Sequence, residues 1–114
     1  MKAKALRFYV SNTDVFKHES VYESITHAAI HYGLTGATVY RAVMGYGASN
    51  NLLSERFWEF NTKVPIVVEI IDEAEKIDAF LEKILPWIEG LPKGCLVTSQ
   101  DVDILLSKKG MGKL

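Results

Sequence analysis

The chain has 114 residues, 48% of them hydrophobic, with 13 basic residues against 14 acidic and a net charge of -1. That is one domain's worth of ordinary globular sequence, with no basic excess to draw it to nucleic acid or to an acidic membrane surface. A lone cysteine, Cys95, excludes an internal disulfide and a cysteine-built zinc cage within one chain.

The first run, MKAKALRFYV, is too short an apolar stretch for a signal peptide, and no window reaches the roughly 18–20 apolar residues of a membrane span. The expectation is a soluble, cytoplasmic protein without membrane insertion. Ala3 to Val10 alternates, with Leu6, Phe8 and Val10 on one face and Ala5, Arg7 and Tyr9 on the other, the period of a half-buried strand. Ser11-Asn12-Thr13-Asp14 is turn chemistry. A helix follows over roughly residues 20–32. Ser20 and Glu23 have capping-box spacing, the stripe is Val21, Ile25, Ala28, Ala29 and Tyr32, and Gly33 sits at the C′ position.

A second strand is expected over Ala37 to Met44, ending in the Gly45-Tyr46-Gly47 pivot, where glycines permit positive φ or close backbone approach. The segment from Tyr46 to Lys63 is long for a hairpin connection and carries Glu55-Arg56-Phe57-Trp58-Glu59-Phe60. A third strand, Val64 to Ile71, is apolar except for Glu69 once past Pro65, and Asp72 and Glu75 have capping-box spacing. The second helix, roughly Glu73 to Glu89, should bury Ala74, Ile77, Leu81, Ile84 and Ile88, with Phe80 and Leu85 beside them. Pro86 predicts a kink or break near Leu85. After the loop Gly90 to Gly94, Cys95 to Thr98 and Val102 to Leu106 are β-prone, with a bend or bulge at Ser99-Gln100-Asp101. The tail, about 107–114, reads as loose.

The order βαββαβ is the ferredoxin-like arrangement, an α+β fold with two helices on one face of a four-stranded antiparallel sheet in the order 4-1-3-2. With Ile66, Val68 and Ile70 toward the helices, Val67, Glu69 and Ile71 remain on an open face that is too apolar for water. Arg7 and Glu69, taken as parallel neighbours, are expected to pair on it. Other subunits should cover this face. The third strand lacks the aromatics of an RNA-binding sheet, the first loop lacks a metal carrier's paired cysteines, and SNTDVFK lacks a phosphate-cradling arginine.

Glu23, His27 and His31 share one helix face and could hold a transition metal, against the plainer reading of a solvated polar face. Cys95, with no histidine near it in sequence, reads as a small core residue rather than a nucleophile. Arg56, Phe57 and Trp58 are either local packing or a partner surface. The pivot is either a bulge or an anion cradle, and Lys93 with Gly94 would face it across a subunit boundary.

Taken together, LRFYVSNTD, GLTGATVYRAVMGYGAS, VPIVVEIIDEAEKIDAFLEKI and GCLVTSQDV resemble the PII-like superfamily, and more closely its uncharacterised family numbered 190 among the domains of unknown function. The resemblance covers nearly the whole chain as one domain. It makes MGYGAS the base of a mobile T-loop at about 46–63, and GLPKGCLVT the position of a B-loop. It implies a homotrimer whose intersubunit clefts, lined by Gly45, Tyr46, Gly47, Lys93 and Gly94, take a small anionic ligand such as an adenine nucleotide. It also implies a non-enzymatic regulator whose loop contacts a membrane transporter or an enzyme. Two residues past the second glycine, where typical PII proteins carry glutamine, this chain has Ser49. A metal-responsive CutA-type trimer and a ligand-free scaffold are the competing readings.

Overall fold

The computed structural model describes residues 2–46, the backbone of 52–54, and residues 63–111. The elements run β1 (Lys2–Ser11), β2 (Val15–Phe16), β3 (Glu19–Ser20), α1 (Val21–His31), β4 (Thr38–Arg41), β5 (Met44–Tyr46), β6 (Leu52–Ser54), β7 (Pro65–Glu73), α2 (Ala74–Glu89) and β8 (Leu96–Asp103). The main sheet is antiparallel, in the order β4-β7-β1-β8, which is the expected ferredoxin-like arrangement.

Alternation in β1 and β7 sorts the two faces. Leu6, Phe8, Val10, Ile66, Val68 and Ile70 are buried with Val21, Ile25 and Ala29 of α1 and Ile77, Phe80, Ile84 and Ile88 of α2. Phe80 meets Phe8 edge-on at 6.4 Å between ring centroids, a favourable geometry for two aromatic quadrupoles. The sequence reading put Leu81 in this core and Phe80 beside it. The helix turns the other way, leaving Leu81 half-buried, because the larger ring fills the space over Phe8.

Helix α1 ends as its sequence demands. Gly33 adopts φ +79°, and the N–H groups of Gly33 and Leu34 donate to the carbonyls of Ile30 and Ala29, so the left-handed glycine closes a Schellman cap over buried Leu34. The expected capping boxes do not form as such. Ser20 Oγ donates to Glu23 Oε1 and accepts from no helix N–H, and Asp72 lies in β7, with Glu73 at the N-cap of α2. The Asp72 carboxylate accepts from the Thr35 and Glu73 N–H groups, tying the loop after α1 to the end of β7.

Four further differences from expectation appear. The second strand breaks in two, since the Ala42 N–H reaches the carbonyl of Pro65, the first residue of β7, and beyond it β4 has no further β7 residue to pair with. Met44–Tyr46 pairs instead with Leu52–Ser54. Pro86 does not break α2: it lies in the last turn and is exposed, so the Glu82 carbonyl that it deprives of a donor is open to water. Strand β8 runs through Ser99-Gln100-Asp101 without a bulge, paired residue for residue with β1 from Leu96↔Tyr9 to Lys2↔Asp103, because an edge strand tolerates polar residues. The fourth is a hairpin that the sequence reading did not contain, β2–β3, closed by Lys17 and His18 at φ 51° and 68°.

Candidate functional site

The open face of the sheet carries one polar ladder across all four strands. Arg7 and Glu69 stand directly opposite each other on antiparallel β1 and β7, which corrects the parallel relation expected of them. Right-handed crossovers make the parallel pairs β1 with β4 and β7 with β8, each separated by an antiparallel strand. Arg7 Nε donates to Glu69 Oε2 at 2.7 Å and its second nitrogen to Gln100 Oε1 of β8 at 3.1 Å. From β4, the Tyr40 hydroxyl donates to Glu69 Oε1 at 2.6 Å. The hydrogen bond from Tyr40 and the Arg7 guanidinium hold the Glu69 carboxyl below its usual range against the opposing effect of burial. The same bond raises the Tyr40 phenol.

Around this ladder the face is apolar and uncovered in the single chain. Ile71 is 42% exposed and Leu96 57%, with Tyr9 and Tyr40 also exposed, an arrangement that favours burial against another surface. Past β8, Leu105 and Leu106 stand in solvent.

The two loop elements singled out in the sequence lie at one end of the sheet. Arg41↔Ile66 sets the end of β4 beside the start of β7, Ser11↔Pro65 sets the end of β1 there, and Tyr9↔Leu96 brings the start of β8 to the same end. Gly45 and Tyr46 thus emerge from the β4 edge, and Lys93 and Gly94 from the β8 edge. Three strand spacings, about 14 Å, separate those edges. Tyr46, Lys93 and Gly94 are exposed. Gly45 owes its identity to packing: a Cβ there would come within 2.6 Å of the Pro65 ring, and its φ is not in the left-handed region. Gly47, and the loop residues Arg56, Phe57 and Trp58, lie outside the described residues.

On α1, the proposed metal-binding face is otherwise engaged. His27 Nδ1 is 3.0 Å from Glu19 Oε2, Glu23 accepts from Ser20, and His31 meets the Tyr32 ring edge-on. Among the described residues no three His, Cys, Asp or Glu side chains gather as a metal cage. Cys95 is half-buried against the core, and burial first, then Asp14, pushes its thiol up to about 11, so it stands as a thiol rather than a nucleophilic thiolate. Among the described residues no helix is long and apolar enough to cross a membrane.

The family model described as "Uncharacterized ACR, COG1993" (DUF190) matches residues 3–104. A UPF0166 protein of Aquifex aeolicus (strain VF5) is 38% identical over 105 residues, 92% of this chain and 95% of that one. A UPF0166 protein of Methanocaldococcus jannaschii is 31% identical over 89 residues, 78% of this chain and 82% of its own. Among solved structures, the fold is similar to CPII, a nitrogen regulatory PII-like protein from Thiomonas intermedia K12, bound to ADP, AMP and bicarbonate. That match has a TM-score of 0.62 at 18% identity, over 90% of this chain and 89% of that one. A putative PII-like signaling protein from Thermus thermophilus matches with a TM-score of 0.58 at 14% identity, over 90% of each chain. The chain, with its PII-like ferredoxin fold, belongs to the uncharacterised DUF190 family.

Proposed function

We propose that this protein is a non-enzymatic PII-like regulator that assembles as a homotrimer and binds a small anionic ligand at clefts between its subunits. An adenine nucleotide is the first candidate. The 46–63 loop, with Arg56, Phe57 and Trp58, would report occupancy to a partner protein, either a membrane transporter or an enzyme.

The observation that carries this reading is the placement of two exposed loop elements at one end of the sheet but on opposite edges. Neither reaches the other within one chain, whereas edge-to-edge association would set Gly45 and Tyr46 of one copy against Lys93 and Gly94 of the next. Lys93 would supply charge and Gly94 backbone access, the two things a phosphate needs. The uncovered apolar sheet face supports the assembly, and the ADP and AMP bound to the similar CPII fold support the ligand class.

Light scattering on the intact protein, followed by calorimetric titration with ATP, ADP and AMP, tests both halves. The expected result is three times the chain mass and saturable binding that Lys93→Met weakens about tenfold. A monomer at all concentrations would overturn the cleft. A trimer that binds none of the nucleotides would leave the ligand-free scaffold.

A further inference from the structure

We propose a second binding site on the helix layer, in the groove between the β2–β3 hairpin, α1 and α2, that takes a small planar aromatic anion. The groove's volume is about 460 Å³, within the roughly 300–1,000 Å³ of small-molecule pockets. Its chemistry is divided as such a ligand requires. Ala28 and Ile84 line it, Phe16 and Trp87 give it aromatic walls whose rings meet edge-on at 6.1 Å, and Lys17 and Lys83 supply two ammonium groups.

Three observations make this more than a dent between helices. Lys17 and His18 are non-glycine residues held at positive φ, in a two-residue hairpin loop that ordinarily recruits Asn or Gly. Such backbone strain persists where the surroundings over-determine it, and it clusters at ligand clamps. Here it sets the Lys17 ammonium 5.4 Å from the centre of the Phe16 ring, at the groove. Second, neither Lys17 nor Lys83 has a carboxylate partner among the described residues. Glu19, the acid lining the groove, is already satisfied by Ser24 and His27. Third, the Trp87 indole N–H is accessible to water and makes no hydrogen bond to the described residues, so its donor is free for a ligand. An aromatic carboxylate places its ring against Phe16 and Trp87 and its charge between the lysines.

The probe is 1-naphthoate, titrated into the full-length ¹⁵N-labelled protein, with 1-naphthalenemethanol as its neutral counterpart. Saturable shifts are expected at the backbone amides of Phe16, Lys17, Ala28 and Lys83 and at the Trp87 indole N–H. The neutral alcohol, and the Lys17→Met/Lys83→Met double variant, should each bind about tenfold more weakly or worse. Equal binding of acid and alcohol, shifts confined to the open sheet face or to Tyr46 and Lys93, or no saturation would each overturn the site. Because the lysine variants are surface changes, their unshifted spectra confirm folding before the titration. ADP titrated in parallel reads the subunit cleft separately, so either site can fail without the other.

Discussion

The two faces of the sheet are made by the same strands and behave oppositely. Leu6, Phe8, Val10, Ile66, Val68 and Ile70 point to the helices and are buried. Their neighbours in sequence, Arg7, Tyr9, Val67, Glu69 and Ile71, point away and stay partly exposed around an ion pair. A slip of one residue would exchange the two sets, so the alternation fixes the register of β1 against β7. The helix face accounts for the stability of a single chain. The open face is costly to leave wet, and in the proposed assembly its ladder would give a covering subunit one orientation rather than many.

The sharpest test of this contrast is Phe8→Ala. Phe8 is fully buried against Phe80, so the change should cost about 3–5 kcal/mol, read as a lower urea midpoint at constant slope. Tyr9→Ala, one residue along and facing outward, should cost little in dilute protein. Equal losses in the two would abolish the distinction between the faces. Arg7→Met comes next, and its effect should depend on concentration. In dilute single chains the pair, still open to water along one side, is worth less than about 1 kcal/mol. If a second subunit covers it as proposed, removing one partner strands Glu69, a loss of about 3–5 kcal/mol that should be seen in concentration-dependent thermal unfolding.

Asp72 joins the faces to the loop after α1. Asp72→Ala leaves the Thr35 and Glu73 N–H groups without their acceptor, which should cost about 1–3 kcal/mol by urea unfolding. For Asp72, burial works to raise the carboxyl, but the hydrogen bonds from Thr35 and Glu73 and the charge of Lys76 outweigh it and hold it low. Glu69 is held low as well. Both groups bind a proton less readily folded than unfolded. Their contribution is complete above the ordinary carboxylate range of about 4, and is lost as pH falls through the depressed folded values. Unfolding free energy should therefore drop on acidification, and Glu69→Gln should flatten part of that drop. An unchanged pH profile in Glu69→Gln would remove the ladder from the energetics.

Much of this was legible in the residues. Period-two alternation in LRFYV and IVVEII identified both faces, and GLTG announced the Schellman cap through a single glycine. Fold and family followed. What stayed hidden depends on partners distant in the chain. The division of 37–46 into β4 and β5 is decided by where β7 begins, and Asp72 serves the Thr35 loop although its local spacing suggests a helix cap. The β2–β3 hairpin has no Gly or Asn to signal its turn, so nothing at Lys17 and His18 marks one in the sequence. Gly45 was noticed as a ligand-approach residue, and its neighbour proves to be Pro65, on a different strand and far along the chain.

The smallest expected effect gives the cleanest comparison, because the molecule contains two ion pairs of equal length on opposite faces. Lys4 Nζ meets Asp78 Oδ1 at 2.7 Å on the helix side, as Arg7 meets Glu69 at 2.7 Å on the open side. Length alone would rank them together. Yet Asp78 is 56% exposed and Glu69 only 14%, and exposed pairs spend much of their attraction on ordering two long side chains in water. The hydrogen bond to Asp78 raises the Lys4 ammonium, but solvent screens the pair. Lys4→Ala should leave the urea midpoint within experimental scatter at every protein concentration. A concentration-dependent loss like that of Arg7→Met would mean that subunits cover the helix side instead, and the assignment of the open face as the assembly surface would be reversed.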